Sequence, residues 1–206
     1  HTEQKRLYKE FGVNAEYLID HSWGKESCTI ADIKAYKPKT NSITNSQVLF
    51  EDYSFIKARL VLKEMVELGS LRLIESNLVT DTVGLYIGYS KNTIKATGGT
   101  RKLTNYTNIY SELLKAFLEI YNKTTDTDIP IRRIGVNFAN VIETESVQLS
   151  LFIDQERVDE ERKLELAMCS IKNKMGKNAI IRGMDLEDGA TTIMRNKLIG
   201  GHNSGE

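Results

Sequence analysis

The hydrophobic period of this chain switches in an order that few folds accommodate. Residues 43–50 mix β-branched and apolar side chains, as a strand does. Over residues 52–77 the apolar positions Ile56, Leu60, Met65, Leu68 and Leu71 follow a helical spacing, with Asp52 placed as its N-cap and Gly69 as a weak point. Val83, Leu85, Ile87 and Tyr89 then alternate, which is a strand with one buried face. Lys91-Asn92 reads as a turn, and residues 94–103 as the partner strand, loosened by Gly98-Gly99. A second helix is expected over 108–122, with Ile109, Leu113, Phe117 and Ile120 on its apolar side. Residues 131–141 close the series as a strand in which Ile134, Val136 and Phe138 alternate.

The order is β-α-β-β-α-β, the split βαβ arrangement of ferredoxin-like α+β domains. It places two helices on one face of a four-stranded sheet. The other face must be solvated or meet a partner. Ahead of this domain, residues 2–24 read as two short helices around Gly12, with Leu7, Tyr8 and Phe11 on one face and Trp23 in the core. Residues 25–42 have no sustained period, and Lys37-Pro38-Lys39-Thr40 reads as a basic linker. Behind the domain, residues 155–175 form a charged helix with a narrow stripe of Leu164, Ala167, Met168 and Ile171. The Gly-rich stretch 177–206 is weakly periodic and is expected to be poorly ordered.

Composition narrows the function. The 206 residues carry 28 Lys or Arg and 28 Asp or Glu, a formal net charge of zero, which argues against a strongly cationic nucleic-acid binder but not against a local basic face. Between residues 43 and 142 there are 12 Lys or Arg against 10 Asp or Glu, so weak phosphate binding is the most that this excess supports. No apolar run approaches the ~18 residues of a membrane span. Cys28 and Cys169 are far apart and read as free thiols of a reducing compartment. His21 beside Asp20 lacks a third partner and reads as a surface residue. The chain starts at His1 rather than Met and is read as a fragment.

Gln148-Leu149-Ser150-Leu151-Phe152 resembles the peptide by which bacterial polymerases and repair factors dock onto the sliding clamp. Its alternation equally suits a strand extended into the core through Val147, Leu149 and Leu151. Phe11-Gly12-Val13-x-Ala15-Glu16-x-Leu18 followed by Trp23-Gly24 resembles the last helix pair of a polymerase thumb. Gly135-Val136-x-Phe138 before the clamp-like string resembles the end of a little-finger domain. Gly176-Lys177-Asn178-Ala179-Ile180-Ile181-Arg182, then Arg195-Asn196-Lys197-x-Ile199-Gly200-Gly201-His202, is similar to the tail of the UmuC/ImpB/MucB/SamB type of Y-family translesion DNA polymerase, in its Gram-positive or phage-like branch.

The resemblance implies a thumb remnant over 1–24, a linker over 25–42, a little finger over 43–145, a clamp-binding peptide over 146–153 and a C-terminal helix and tail over 154–206. It implies a cytoplasmic monomer of the SOS response that binds primer–template DNA and, through Gln148, Leu149, Leu151 and Phe152, the bacterial sliding clamp. The expected DNA contacts are Lys37, Lys39, Ser42, Thr44, Ser46, Lys91, Lys95, Arg101, Lys102, Arg132 and Arg133. No catalytic residue and no cofactor is expected within these residues. The parent polymerase would use Mg²⁺ in a palm that is not here, so this portion is expected to be inactive alone. The alternative is a stand-alone ferredoxin-like regulatory or RNA-binding module. Tyr86 and Tyr89 differ by an odd number and so do not share a face as a stacking pair would.

Overall fold

A computed structural model describes residues 3–36, 41–90, 94–146 and 155–198. The chain divides into two compact units, His1–Thr40 and Asn41–Glu206.

The first unit holds three short helices, α1 (Gln4–Phe11), α2 (Asn14–Ser22) and α3 (Ile30–Ala35). Gly12, with φ of 56°, makes the corner between α1 and α2, a conformation that costs other residues more. α3 is too short for its period to show. Its signature is a reciprocal cap: the Asp32 N–H donates to Thr29 Oγ1 at 3.2 Å, and the Thr29 N–H donates to Asp32 Oδ2 at 2.9 Å. Ala15 is buried, whereas Tyr8, Phe11 and Trp23 are exposed, so Trp23 is not the core residue expected of it. A unit of this size has too little interior to enclose an indole. His21 Nε2 lies 2.8 Å from Glu26 Oε2 on the surface.

The second unit is built on β1 (Ile43–Tyr53), α4 (Phe55–Glu75), β2 (Leu78–Tyr89), β3 (Thr97–Thr107), α5 (Tyr110–Thr124) and β4 (Ile131–Ala139). Its strands pair antiparallel in the order β1-β4-β2-β3, so β4 lies between β1 and β2, and β2 between β3 and β4. Both β-α-β units are therefore split, as the periods predict. A short strand, β5 (Ile142–Glu143), adds to the start of β2. Val83, Leu85, Ile87, Ile134, Val136 and Phe138 form one core with the buried sides of α4 and α5.

Two local expectations change. β1 runs on to Tyr53, so the N-cap of α4 is Ser54, whose Oγ accepts from the Lys57 N–H at 3.4 Å. Asp52 instead accepts from Ser90 Oγ at 2.7 Å. Gly69 is no weak point: a Cβ there would lie 2.2 Å from two atoms of the Phe138 ring, so the glycine is the notch into which that ring packs.

The largest departure is at the C-terminus. α6 (Gln155–Met175) lies on α4, and residues 177–198, with a 3-10 turn (Gly183–Leu186) and α7 (Thr192–Arg195), pack onto the domain rather than trailing from it. α4 consequently buries most of its residues, Glu64 and Glu67 among them. The side of α6 that it buries is Glu165, Met168 and Cys169, while Leu164 and Ala167 are exposed. Glu64 accepts from the N–H groups of Thr191 and Thr192, and Arg195 Nη1 donates to Gln47 Oε1 at 2.7 Å. The Arg182 guanidinium lies 4.2 Å from the Tyr110 ring centroid and pairs with Glu67 and Glu165. Burying charge is costly unless it is paired, and Arg182 supplies the opposite charge to both carboxylates.

Candidate nucleic-acid interface

The helices cover one face of the sheet, and the registers define the other. On that open face Thr44 stands opposite Asn137, which stands opposite Gly84, which stands opposite Thr100. The next row is Ser46, Gly135, Tyr86 and Gly98. Val48, Arg133 and Gly88 make a third row, and Ala139, Thr82 and Lys102 a fourth. None of these side chains is acidic. The middle rows line a shallow depression of about 500 Å³.

Several expected contacts fall on this face. Thr44 and Ser46 are exposed on β1, and the Thr44 hydroxyl donates to Asn137 Oδ1 at 2.9 Å. Ser42 is exposed just ahead of the strand, as is Lys95 ahead of β3. Arg133 sits on β4 with its guanidinium 5.7 Å from the Tyr86 ring centroid, within cation–π range. Lys102 projects from β3, its Nζ 3.7 Å from Asp81 Oδ2. Burial would raise the Asp81 carboxyl, but hydrogen bonds from Thr82 and Asn140 and the Lys102 ammonium hold it below its usual value.

Two others do not join them. Arg101 stands opposite Val83, on the helix side of the sheet, and its guanidinium is taken by Glu119 of α5. Neighbouring residues on a strand point to opposite faces, so Arg101 and Lys102 cannot serve one surface. Arg132 lies at the sheet end, its Nη1 3.5 Å from Asp52 Oδ1. Lys37, Lys39, Lys91 and the string Gln148, Leu149, Leu151 and Phe152 lie outside the described residues.

Tyr86, Thr100 and Asn137 were not among the expected contacts. Their signal is cross-strand register, which a single strand's alternation does not reveal. Tyr86 is exposed and Tyr89 is buried, so the two tyrosines do point to opposite faces.

Residues 40–151 match the impB/mucB/samB family C-terminal domain. Among curated proteins, the putative UV-damage repair protein UvrX of Bacillus subtilis is 32% identical, the alignment covering 96% of this chain and 47% of that protein. DNA polymerase IV 2 of Halalkalibacterium halodurans is 31% identical, over 98% of this chain and 48% of that protein. The chain spans about half the length of these curated relatives. Among solved structures, the post-insertion binary complex of Dbh DNA polymerase is similar at 18% identity and a TM-score of 0.38, covering 69% of this chain and 40% of that one. The family match takes in more than half of the 206 residues, and the chain therefore belongs to the impB/mucB/samB family, whose C-terminal domain it carries.

Proposed function

We propose that this chain is the non-catalytic, DNA-holding portion of a translesion polymerase, and that the open sheet face is what meets primer–template DNA. The observation that carries the proposal is the make-up of that face: hydroxyls, an amide, glycines and two cations, with its apolar side chains kept to Tyr86 and the rim. Hydroxyls and amides on strands bond phosphate oxygens without reading bases, and Arg133 and Lys102 add attraction that is indifferent to sequence. A polymerase that crosses damaged template gains from a grip of this type. The relatives' names, a UV-damage repair protein and a DNA polymerase, agree with it.

The parent enzyme would add nucleotides opposite damaged template bases with Mg²⁺. Among the described residues no three His, Cys, Asp or Glu side chains converge to hold a metal ion, so no step of that reaction is assigned to them. Also among the described residues, no helix is long and apolar enough to cross a membrane. The string Gln148–Phe152 would tether the domain to a sliding clamp and so raise its local concentration at a stalled fork.

Affinity for primer–template DNA is expected to fall steeply with salt. Arg133→Ala with Lys102→Ala should weaken binding and reduce the slope of log K against log salt by about 1 to 2, whereas Arg101→Ala should leave it unchanged. Fluorescence anisotropy over a salt series checks this. A slope lowered by Arg101→Ala and not by the pair would move the interface to the helix side.

A further inference from the structure

All four nearest neighbours of Tyr86 on the open face are glycine. Gly84 and Gly88 lie two residues away along β2, Gly135 is its partner on β4, and Gly98 its partner on β3. Gly98, at φ of 125° and with Leu85 O only 2.0 Å from where its Cβ would sit, is demanded by the backbone. The other three are not: none has a positive φ, and a Cβ on Gly84 would meet nothing closer than 3.5 Å. Glycine inside a strand weakens it, and it recurs where a ligand approaches the backbone closely. Gly88 and Gly135 lie where a Cβ would meet Tyr86 itself, at 3.2 and 3.4 Å, so they let the ring settle on the sheet, and Gly84 leaves the space beside it clear.

The ring itself lies down. A Cβ on Gly88 would come within 3.2 Å of Tyr86 Cε1 and 3.4 Å of its hydroxyl oxygen, so the ring leans along the strand over Gly88. One side of the ring rests on the sheet, and 46% of the residue stays exposed. The Arg133 guanidinium lies over the ring, 5.7 Å from its centroid, and Thr44, Ser46, Thr100 and Asn137 rim the depression. A flat aromatic surface beside a guanidinium, on a face whose paired rows carry no carboxylate, fits a planar, uncharged ring that brings an anion with it. An unpaired nucleobase with its phosphate has that chemistry.

We propose that Tyr86 is a stacking platform for one unpaired base of single-stranded DNA, with Arg133 holding the adjoining phosphate. This rests on the proposed use of the sheet face for DNA and adds a subsite to it: a duplex, whose bases are already stacked, would touch only the rim.

The test uses the full chain, a single-stranded oligonucleotide carrying 2-aminopurine, and a blunt duplex of the same sequence. Tyr86→Leu is expected to weaken single-strand binding about tenfold or more, to abolish the quenching of 2-aminopurine on binding, and to leave duplex affinity unchanged. Tyr86→Phe should keep both properties. Gly84→Thr, which fits the backbone and narrows the space beside the ring, should lose single-strand affinity as Tyr86→Leu does, and it serves if the leucine variant fails to fold. Unchanged single-strand affinity in Tyr86→Leu and Gly84→Thr would overturn the platform, as would equal losses on single strand and duplex. If Arg133→Ala weakens both DNAs while Tyr86→Leu weakens neither, the platform falls and the interface stands. If neither variant changes either DNA, both fall.

Discussion

Glu64→Ala is expected to release residues 177–198 from the domain while leaving the sheet folded. Glu64, 2% exposed in the middle of α4, accepts from the Thr191 N–H at 2.9 Å, the Thr191 hydroxyl at 2.8 Å and the Thr192 N–H at 2.8 Å. Truncation leaves the Thr191 and Thr192 N–H groups without that acceptor and removes the carboxylate that favours the charged form of the half-buried Arg195, against the cost of its burial. The cost is on the order of 3 kcal/mol, ample to undock a short segment. Glu64→Gln keeps one acceptor oxygen and should retain part of the docking. Amide hydrogen exchange checks this: protection should be lost over 179–195 and kept in β2 and β4, and an unchanged pattern over 179–195 would show that Glu64 does not hold the segment.

The stability of the second unit should depend on pH in a defined sense. Burial, with the neighbouring Glu161 carboxylate, pushes the Glu165 carboxyl up to about 7 from an ordinary 4.5, against the pull of the Tyr110 N–H and Arg182. The folded state therefore holds a proton that the unfolded state gives up, so this contribution is full below about 4.5 and is lost as pH rises towards 7. Glu165→Gln should flatten that dependence.

Leu151→Ala combined with Phe152→Ala is expected to abolish binding to a bacterial sliding clamp. In a docked peptide these two would be the apolar anchors, and anchors of this type each carry about 2 kcal/mol or more, so losing both amounts to roughly a thousandfold. The fold and the DNA affinity should not change. Surface plasmon resonance on immobilised clamp, with circular dichroism as the control, separates the two readings of the string. A wild-type chain that does not bind, or a double variant that unfolds, would return Leu149 and Leu151 to the role of core strand residues.

The six elements of the central domain were legible because each has one dominant period, set by one packed face. Ser54 was missed as a cap because β1 extends three residues past its last clear alternation, and Gly69 was misjudged because its reason lies across the core at Phe138. The docking of 177–198 was illegible for a different reason. It is made by Glu64, Glu67, Arg182 and Arg195, residues that read as solvated when taken along the chain and whose partners lie more than 100 positions away, with Glu165 of α6 also reaching Arg182. The open face proposed for DNA was half legible: that Thr44, Ser46, Lys102 and Arg133 lie on it follows from alternation and charge. Excluding Arg101 and including Tyr86, Thr100 and Asn137 needed the register between strands.

Amide chemical-shift mapping of the isotope-labelled chain during titration with primer–template DNA tests the open face most directly. The expected result is a set of shifts confined to Thr44, Ser46, Tyr86, Thr100, Lys102, Arg133, Asn137 and their glycine neighbours, with α4, α5 and α6 unaffected. Shifts concentrated on those helices, with the sheet face silent, would contradict it.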